Sequence, residues 1–288
     1  MAIIISGTKL ASSRKEKLKE EINLLQKKHH RTPKLSVILV GNDAGSLSYV
    51  KGKEKASKEV GISVETFHYD DSVTEETIIN KVKELNEDKT CDGILVQLPL
   101  PKHISSDKII DLIKPDKDVD GFHPRNVASL YLKQQGILPC TPKGVIALLD
   151  SKNIEIEGKR AVVIGRSNIV GMPLAKMLLD RNATVTICHS RTKNLKEVVA
   201  EGDIVVCALG KARFIKADMI KEGAVVIDVG ANRDSENKLC GDVDFINVEP
   251  KCSYITKVPG GVGPMTICCL LENTYIAYLN HMEEEYDR

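Results

Sequence analysis

Short apolar runs alternate with longer amphipathic segments along most of the chain. The apolar runs predict strands at 35–40, 63–69, 93–98, 161–164, 184–188, 204–208 and 224–229. The amphipathic segments predict helices at 8–28, 46–60, 75–86, 107–113, 141–150, 172–180, 195–200 and 265–280. Short strands separated by helices favour an α/β fold with parallel sheets built from βαβ units. Uninterrupted apolar strands suit sheets that are covered on both faces.

The predicted strands fall into two groups, one before residue 100 and one after residue 160. Between the groups, residues 114–126 are rich in Pro, Asp and Gly, a composition that favours neither a helix nor a central strand. We therefore expect two α/β domains with a junction around residues 115–140. The pattern alone leaves open on which domain the final predicted helix packs.

Composition and charge narrow the classes of partner. The chain has 288 residues, with 41 basic and 40 acidic side chains and a formal net charge of +1, which argues against a strongly basic nucleic-acid-binding protein. Tryptophan is absent and aromatic residues make up 4%, so stacking platforms for single-stranded nucleic acid would be scarce. No run of ~18 apolar residues could cross a membrane, and the start lacks a secretory signal pattern. We expect a soluble cytoplasmic protein that binds neither nucleic acid nor a membrane.

The eight cysteines predict buried free thiols rather than a metal site. The sequence contains no Cys-x-x-Cys pair and no closely spaced histidine pair beside one, so a structural zinc site is not expected. Several cysteines lie inside apolar runs, such as Cys207 in the strand predicted at 204–208. This placement is typical of small buried residues in a reducing compartment.

Residues 161–179 predict a strand, a glycine turn and a helix, the arrangement that binds dinucleotides. Gly165 would let the backbone turn sharply, Gly171 would allow close approach at the helix start, and Pro173 suits the first helical turn. Free N–H groups at such a helix start would form a phosphate site. The spacing is Gly-x5-Gly rather than Gly-x-Gly-x-x-Gly, so an ordinary βαβ turn is the alternative.

The residues after the strand predicted at 184–188 indicate which dinucleotide is bound. A Rossmann fold usually has Asp or Glu there to bind the ribose of NAD, whereas this chain has His-Ser-Arg-Thr at 189–192. The Ser190 hydroxyl and the Arg191 guanidinium could hold a 2′-phosphate, which a carboxylate would repel. The pattern favours NADP over NAD. The alternative is that Arg191 is an ordinary surface arginine with no role in cofactor binding.

Tyr49 and Lys53 form the first candidate for a reaction centre. They are four residues apart on the helix predicted at 46–60, so they share one face. A phenol and an amine side by side could orient a substrate ring and move a proton, provided that burial or a second cation lowers the lysine pKa. Taken alone, such a pair on a charged helix is more often part of a solvated face, and this explanation is favoured over a reaction centre.

Three further segments carry polar groups suited to ligands. Gln97 ends a strand predicted to be buried, at the carboxyl edge where ligands bind, although nearby backbone could equally satisfy its amide. Asp118 and Asp120 could bind an amino-bearing heterocycle or cap turns, and no further ligand with suitable spacing supports a metal site. The glycine-rich loop at 259–263 could contact substrate or phosphate through exposed N–H groups, or could simply link domains.

Together these segments resemble the bifunctional methylenetetrahydrofolate dehydrogenase/methenyltetrahydrofolate cyclohydrolase family over nearly the whole chain. The motifs are Ser-Tyr-Val-x-x-Lys at 48–53, Asp-Gly-Ile-Leu-Val-Gln-Leu-Pro-Leu-Pro at 92–101, Lys-Asp-Val-Asp-Gly-Phe-His at 117–123, Pro-Cys-Thr-Pro-x-Gly at 139–144, Gly-Arg-Ser-x-Ile-Val-Gly-x-Pro at 165–173 and Pro-Gly-Gly-Val-Gly-Pro-Met-Thr at 259–266. Several motifs of this length in the family's order are highly specific.

The resemblance implies two αβα domains with parallel sheets and an active-site cleft between them. Residues 1–138 and a final helix at 266–288 would form a folate-binding catalytic domain, and residues 139–265 a Rossmann-like NADP-binding domain. It also implies a homodimer joined through the NADP domains. The implied activity is NADP-dependent oxidation of 5,10-methylenetetrahydrofolate to 5,10-methenyltetrahydrofolate, followed by hydrolysis to 10-formyltetrahydrofolate.

The resemblance also implies roles for individual residues. Lys53 would be the main catalytic residue, supported by Gln97, while Tyr49 stacks on the folate and Asp120 holds its pterin-like ring. The other implied substrate-site residues are Val96, Leu98, Pro259, Gly260, Gly261, Val262 and Gly263. The implied cofactor-site residues are Gly165, Arg166, Ser167, Ser190, Arg191, Ala231 and Thr266.

Some features differ from the common family pattern, and two other functions stay open. Three positions carry residues other than those common in the family, namely Ala231, Lys257 and Ala128. These differences put the relative rates of the two activities in question.

One alternative function is that of a Rossmann-type dehydrogenase with another small substrate. In short-chain dehydrogenases, however, the Tyr-x-x-x-Lys pair follows the nucleotide motif, whereas here it precedes it. The other is a nucleotide-sensing or scaffold protein without turnover.

Overall fold

Parallel strands form two separate sheets, each in its own unit of the chain. The computed structural model describes residues 1–286. The three-stranded unit comprises Ser13–Cys140 and the chain from Ile267 onward, and the six-stranded unit comprises Met1–Ser12 and Thr141–Thr266. The predicted α/β class with parallel sheets is confirmed.

The described residues contain the following elements. The strands are β1 (Ile3–Ile5), β2 (Lys34–Val40), β3 (Ser63–Tyr69), β4 (Gly93–Val96), β5 (Arg160–Ile164), β6 (Thr184–Cys188), β7 (Ile204–Cys207), β8 (Ala224–Asp228), β9 (Asn232–Arg233), β10 (Leu239–Cys240) and β11 (Cys252–Thr256). The helices are α1 (Gly7–His29), α2 (Ala44–Val60), α3 (Glu75–Glu87), α4 (Ser106–Leu112), α5 (Pro124–Leu132), α6 (Cys140–Asp150), α7 (Gly171–Asp180), α8 (Leu195–Ala200), α9 (Phe245–Val248) and α10 (Val262–Tyr286).

The sheet of the three-stranded unit has the order β3-β2-β4, with parallel pairing throughout. Residues 35–40 of the central strand β2 are all buried, including Ser36, the one polar residue of this otherwise apolar run. Ile94 of β4 forms a further parallel bridge with Asp118. The neighbouring Lys117 ammonium donates to three carbonyl oxygens at the C-terminal end of α3, at 2.7–2.9 Å. The segment around residue 118 is therefore fixed beside β4.

The main sheet of the other unit has the order β1-β11-β8-β7-β5-β6, again parallel throughout. The chain places β6 on one side of β5 and then crosses to place β7 on the other side, so the strand order reverses between β5 and β7. In open parallel sheets, ligands bind at the carboxyl ends of the strands at such a reversal. The candidate cofactor crevice therefore lies where β5 and β7 end.

The strands that sequence analysis did not predict are short or paired over long distances. All seven predicted strands are present within two residues of their predicted bounds, whereas β1, β9, β10 and β11 are additional. β1 has three residues, and its partner β11 lies about 250 residues later. This pairing places Met1–Ser12 in the six-stranded unit, which differs from the predicted domain 1–138. The observed junction after Cys140 lies two residues beyond the predicted one.

α5 (Pro124–Leu132) begins inside the Pro- and Asp-rich segment that was not expected to form a helix. Pro124 stands at the start of this helix, where its missing N–H costs nothing and its fixed φ favours helix. The His123 Nδ1 accepts a hydrogen bond from the Arg125 N–H at 3.0 Å and caps the same end. The proline is therefore a start signal here and does not break the helix.

The cysteines follow the prediction made from sequence. All eight are buried free thiols. Among residues 1–286, no three His, Cys, Asp or Glu side chains are grouped so that they could hold a metal ion. No helix within the same range is both long and apolar enough to cross a membrane.

His281 on α10 is held between two carboxylates of the three-stranded unit. Its Nδ1 lies 3.2 Å from Asp92 and its Nε2 lies 3.2 Å from Asp116. Asp92 is fully buried and also accepts a hydrogen bond from the Arg31 guanidinium at 2.8 Å. Burial alone would lower the pKa of His281, but the hydrogen bonds to Asp116 and Asp92 raise it to about 9.

This arrangement predicts that stability falls at alkaline pH. The folded chain keeps the His281 proton up to about pH 9, whereas the unfolded chain loses it near pH 6.5. The stabilisation of the folded state by protonated His281 is thus fully present below pH 6.5 and is lost as the pH rises through about 9. We expect the free energy of unfolding to drop by about 1–3 kcal/mol across this window, measured by urea unfolding.

Two variants test the assignment to His281. His281→Gln should flatten the dependence of the free energy of unfolding on pH. His103→Gln, a control whose ring contacts a backbone carbonyl, should keep the wild-type profile.

Candidate active site

α2 carries Tyr49 and Lys53 and buries one side against the three-stranded unit. Asp43 caps its start by accepting a hydrogen bond from the Ser46 N–H at 2.7 Å, and Gly61 ends it in the left-handed conformation. Its buried residues are Ser46, Val50, Lys53, Ala56, Ser57 and Val60. Lys53 is 7% exposed and Tyr49 is 39% exposed. A solvated helix face is therefore the wrong explanation for Lys53, while much of the Tyr49 ring remains accessible.

Lys53 is hydrogen-bonded to Gln97, which agrees with the supporting role that the family resemblance implies for Gln97. The Lys53 ammonium donates to Gln97 Oε1 at 3.0 Å. Gln97 is fixed directly after β4, because its N–H donates to the Ile38 carbonyl and its side-chain amide donates to the Leu98 carbonyl. Of its two flanking residues, Val96 is buried and Leu98 is partly exposed. Gln97 takes one of the three hydrogen bonds that the ammonium can donate.

Asp118 and Asp120 have different environments, which the sequence could not distinguish. Asp118 is buried and accepts hydrogen bonds from the His123 N–H at 2.8 Å and the Asn126 side-chain amide at 2.9 Å. It is therefore a turn residue. Asp120 is partly exposed, yet desolvation by the surrounding protein raises the pKa of its carboxyl, and the nearby Lys53 ammonium opposes this rise. Of the two carboxyls, Asp120 is the one placed beside Lys53.

Asn273 and Cys140 support the backbone directly before Asp120, and sequence analysis assigned neither a role. The Asn273 amide on α10 donates to the carbonyls of Val119 and Leu138, both at 2.9 Å, and to Cys140 Sγ at 3.4 Å. The Cys140 thiol donates to the Val119 carbonyl at 3.3 Å. An asparagine within the apolar part of the final helix was the available signal. These contacts fix the loop that presents Asp120.

Gly165 and Gly171 bring backbone segments together at the end of β5. Gly165 has a φ of +129°, and a Cβ there would lie 2.2 Å from the Ala208 carbonyl oxygen. A Cβ on Gly171 would lie 2.2 Å from the carbonyl oxygen of Gly165. No side chain fits at either position, so bare backbone lines this part of the crevice. Such a surface fits a dinucleotide, whose pyrophosphate approaches the main chain closely.

The start of α7 differs from the expected phosphate site. Ser167 Oγ accepts the N–H groups of Val170 and Gly171 at 3.2 and 3.4 Å, and the Ser167 carbonyl accepts that of Met172 at 3.0 Å. The first N–H groups of the helix are thus used within the loop, and the expectation of free donors there was wrong. Ser167 and the neighbouring Arg166 are themselves exposed.

The turn after β6 presents Ser190 and Arg191 to solvent. The His189 N–H donates to Thr192 Oγ1 at 2.8 Å, and the Arg191 N–H donates to His189 Nδ1 at 3.1 Å. These two bonds define the turn and leave the Ser190 hydroxyl and the guanidinium facing outward at the carboxyl edge of the sheet. This is the placement that a 2′-phosphate site requires. Ala231, after β8, is exposed as well.

The loop at 259–263 packs closely within the six-stranded unit. The Gly260 carbonyl accepts a hydrogen bond from the Thr8 N–H at 3.1 Å. Gly261 and Val262 are buried, Gly263 is partly buried and Pro259 is exposed. At the next turn, Thr266 Oγ1 lies 3.0 Å from the hydroxyl of Thr141. Substrate contacts by this loop stay a prediction, because its observed bonds are internal.

Two family models match most of the chain. Residues 5–120 match the tetrahydrofolate dehydrogenase/cyclohydrolase catalytic domain. Residues 139–282 match the NAD(P)-binding domain of the same family. The first range contains Tyr49, Lys53, Gln97 and Asp120, and the second contains every residue of the candidate cofactor site.

Individual relatives agree with the family models. Bifunctional protein FolD from Listeria innocua is 56% identical over 274 residues, covering 95% of this chain and 96% of that protein. The crystal structure of the FolD methylenetetrahydrofolate dehydrogenase/cyclohydrolase from Campylobacter jejuni matches with a TM-score of 0.95 and 48% identity, covering 97% and 99%. The Trypanosoma brucei enzyme, solved with NADP and an inhibitor, matches with a TM-score of 0.94 and 39% identity, covering 97% and 98%.

Proposed function

The chain belongs to the tetrahydrofolate dehydrogenase/cyclohydrolase family, and from this we propose how its residues carry out the two reactions. The enzyme oxidises 5,10-methylenetetrahydrofolate to 5,10-methenyltetrahydrofolate with NADP and hydrolyses the product to 10-formyltetrahydrofolate. The pairing of buried Lys53 with Gln97, beside the Asp120 carboxyl, supports our placement of the folate site. A buried ammonium is costly unless it is paired, and here the pairing leaves part of its donor capacity for a ligand.

Lys53 is the proton-handling residue of the hydrolytic step. Water adds to the methenyl carbon and loses both of its protons as its oxygen becomes the formyl oxygen. The ring nitrogen gains one proton when the ring opens, and the other is released to solvent. A single amine positioned at the substrate serves both transfers, which is the role of a general acid–base. Gln97 is its positioning residue, because the amide oxygen fixes the direction of the ammonium.

Tyr49 and Asp120 bind and orient the folate. The accessible Tyr49 ring offers an apolar face on which the planar substrate ring stacks. The Asp120 carboxylate accepts N–H groups of the pterin-like ring, and the surrounding protein that desolvates it strengthens those bonds. Val96, Leu98 and the residues of the 259–263 loop complete the proposed substrate contacts.

Residues of the six-stranded unit would hold NADP, which when bound supplies the hydride acceptor. Gly165, Arg166 and Ser167 would line the pyrophosphate side, with Ala231 and Thr266 as further contacts. The Ser190 hydroxyl and the Arg191 guanidinium would bind the 2′-phosphate and so favour NADP over NAD. Hydride transfer depends mainly on this positioning of the two reactants.

A turnover assay with both products tests this function. Purified protein is mixed with 5,10-methylenetetrahydrofolate and either NADP or NAD, and reduced cofactor and 10-formyltetrahydrofolate are both quantified. We expect both products, with NADP preferred. Reduced cofactor without the formyl product would contradict the assignment of Lys53. No turnover with either cofactor would favour a dehydrogenase for another substrate or a nucleotide sensor.

We further propose a cytoplasmic homodimer joined through the six-stranded unit. β6 forms one edge of that sheet and pairs with β5 on its other side, which leaves a strand edge suited to a second copy. Light scattering should give about 63 kDa, twice the 31.7 kDa of the chain. A mass of 31.7 kDa at assay concentrations would contradict the dimer.

A further inference from the structure

Asp242 is a fully buried carboxylate that sequence analysis did not single out. Its Oδ2 accepts the N–H groups of Leu209 and Gly210 at 2.6 and 3.1 Å. Its Oδ1 accepts the Lys211 N–H at 2.7 Å and the Asn232 side-chain amide at 2.9 Å. All four partners are N–H donors, a set that suits the two oxygens of a carboxylate.

The partners of Asp242 belong to two loops at the carboxyl edge of the six-stranded sheet. Residues 209–211 follow β7, directly after Ala208, whose carbonyl oxygen is the close neighbour of Gly165. Asn232 follows β8 and is adjacent to Ala231. β7 and β5 flank the reversal of strand order, so the 209–211 loop is one wall of the crevice there. Asp242 therefore ties this wall to the next loop along the sheet.

A second buried carboxylate holds Asp242 in place. Asp228 accepts the N–H groups of Gly230 and Asp242 at 2.9 Å each and that of Val243 at 3.0 Å. Burial raises the pKa of Asp228 to about 6, although these three hydrogen bonds act to lower it. The chain thus retains two adjacent buried carboxyls at this edge, despite the cost of desolvating them.

Two glycines make room for this pair of carboxylates. A Cβ on Gly230 would lie 2.6 Å from the Asp242 carboxyl carbon. A Cβ on Gly241 would overlap Asp228 Oδ2, at a separation of 1.8 Å. Neither glycine lies in the strands of the main sheet, so the parallel pairing does not explain them. The local sequence is built around the two carboxylates.

We infer that Asp242 is a positioning residue for the dinucleotide, because it fixes the 209–211 loop as a wall of the cofactor crevice. The inference rests on the proposed use of NADP in this unit. In Asp242→Asn, the side-chain NH₂ replaces one acceptor and faces N–H donors, so part of the loop loses its support. Binding of the dinucleotide then has to order the 209–211 loop, and this cost lowers the affinity.

NADPH binding, followed by the fluorescence of the reduced nicotinamide without folate, tests this role. We expect Asp242→Asn to raise the Kd at least about tenfold, the effect of losing a hydrogen bond to a charged group. In the same preparation, hydrolysis of supplied 5,10-methenyltetrahydrofolate should stay within about twofold of wild type, which shows that the protein is folded. Asp218→Asn, an exposed member of an ion pair with Lys196, is the matched control and should leave both readouts unchanged.

The possible results distinguish failure of the proposed function from failure of the role assigned to Asp242. Absence of NADPH binding by the wild-type protein would contradict the proposed function itself. Wild-type affinity in folded Asp242→Asn would overturn the positioning role. If Asp242→Asn does not fold, Asn232→Ala is decisive, since it removes one of the four donors. We expect this variant to raise the NADPH Kd about threefold to tenfold, and an unchanged Kd would overturn the inference.

Discussion

Lys53→Gln is expected to lower the turnover of 5,10-methenyltetrahydrofolate hydrolysis by about 10²- to 10⁴-fold, the usual contribution of a general acid–base. Glutamine keeps a polar side chain next to Gln97 but cannot take up and release a proton at neutral pH. The dehydrogenase rate should fall less, because hydride transfer depends on positioning more than on a base. Both rates are measured on one preparation with saturating substrate.

Lys51→Gln is the matched control for this experiment. Lys51 lies two residues away on α2 and is exposed, so the substitution makes the same chemical change on the solvent side of the helix. It should leave both activities at wild-type levels. Because Lys53 is buried, its replacement removes a desolvated charge, and we expect no loss of thermal stability. Hydrolysis at the wild-type rate in Lys53→Gln would exclude Lys53 as the proton-handling residue.

Asp120→Asn should have the second-largest effect, an increase of about 10- to 100-fold in the KM for folate substrates. Asparagine has nearly the same shape but replaces one acceptor oxygen with an NH₂ group, so a bond to a ring N–H is lost. The affinity for NADPH should not change, because the proposed cofactor residues belong to the other unit. Steady-state kinetics and NADPH titration measure the two quantities.

The stability of Asp120→Asn distinguishes a binding role from a structural one. The pKa of Asp120 is raised in the folded protein, so its ionisation at neutral pH opposes folding. Asparagine removes that cost, and we expect the Tm to stay the same or rise. Asp111→Asn, an exposed carboxyl on α4, controls for the loss of one negative charge. A lower Tm together with weakened NADPH binding would indicate a general structural defect.

Elements defined by local pattern were predictable from the sequence. The seven predicted strands are short apolar or alternating segments, and each has a helix or a turn signal beside it. The burial of Lys53 was not predicted, although in the folded chain it shares the buried side of α2 with Val50 and Val60. In isolation the Tyr49 and Lys53 pair still favoured a solvated face, because the charges around it dominated the local composition.

Features that depend on distant partners were not predictable. β1 is too short for its pattern to be decisive, and its pairing with β11 is visible only in the folded chain. Asp118 and Asp120 are two residues apart, and only the folded positions of the His123 N–H and the Asn126 amide show that Asp118 is the turn residue. The expectation of free N–H groups at the start of α7 was wrong for a local reason, because the side chain of Ser167, three and four residues earlier, accepts the N–H groups of Val170 and Gly171.

The interleaving of the two units has a consequence for synthesis of the chain. β1 is synthesised long before its partner β11, which is complete only after residue 256 has been made. The other unit likewise waits for Asn273 and His281, which bond to Val119 and Asp92. Neither unit can therefore complete its native contacts until most of the polypeptide is available. The topology therefore favours folding that is completed largely after translation, because each unit contains long-range contacts to late segments of the chain.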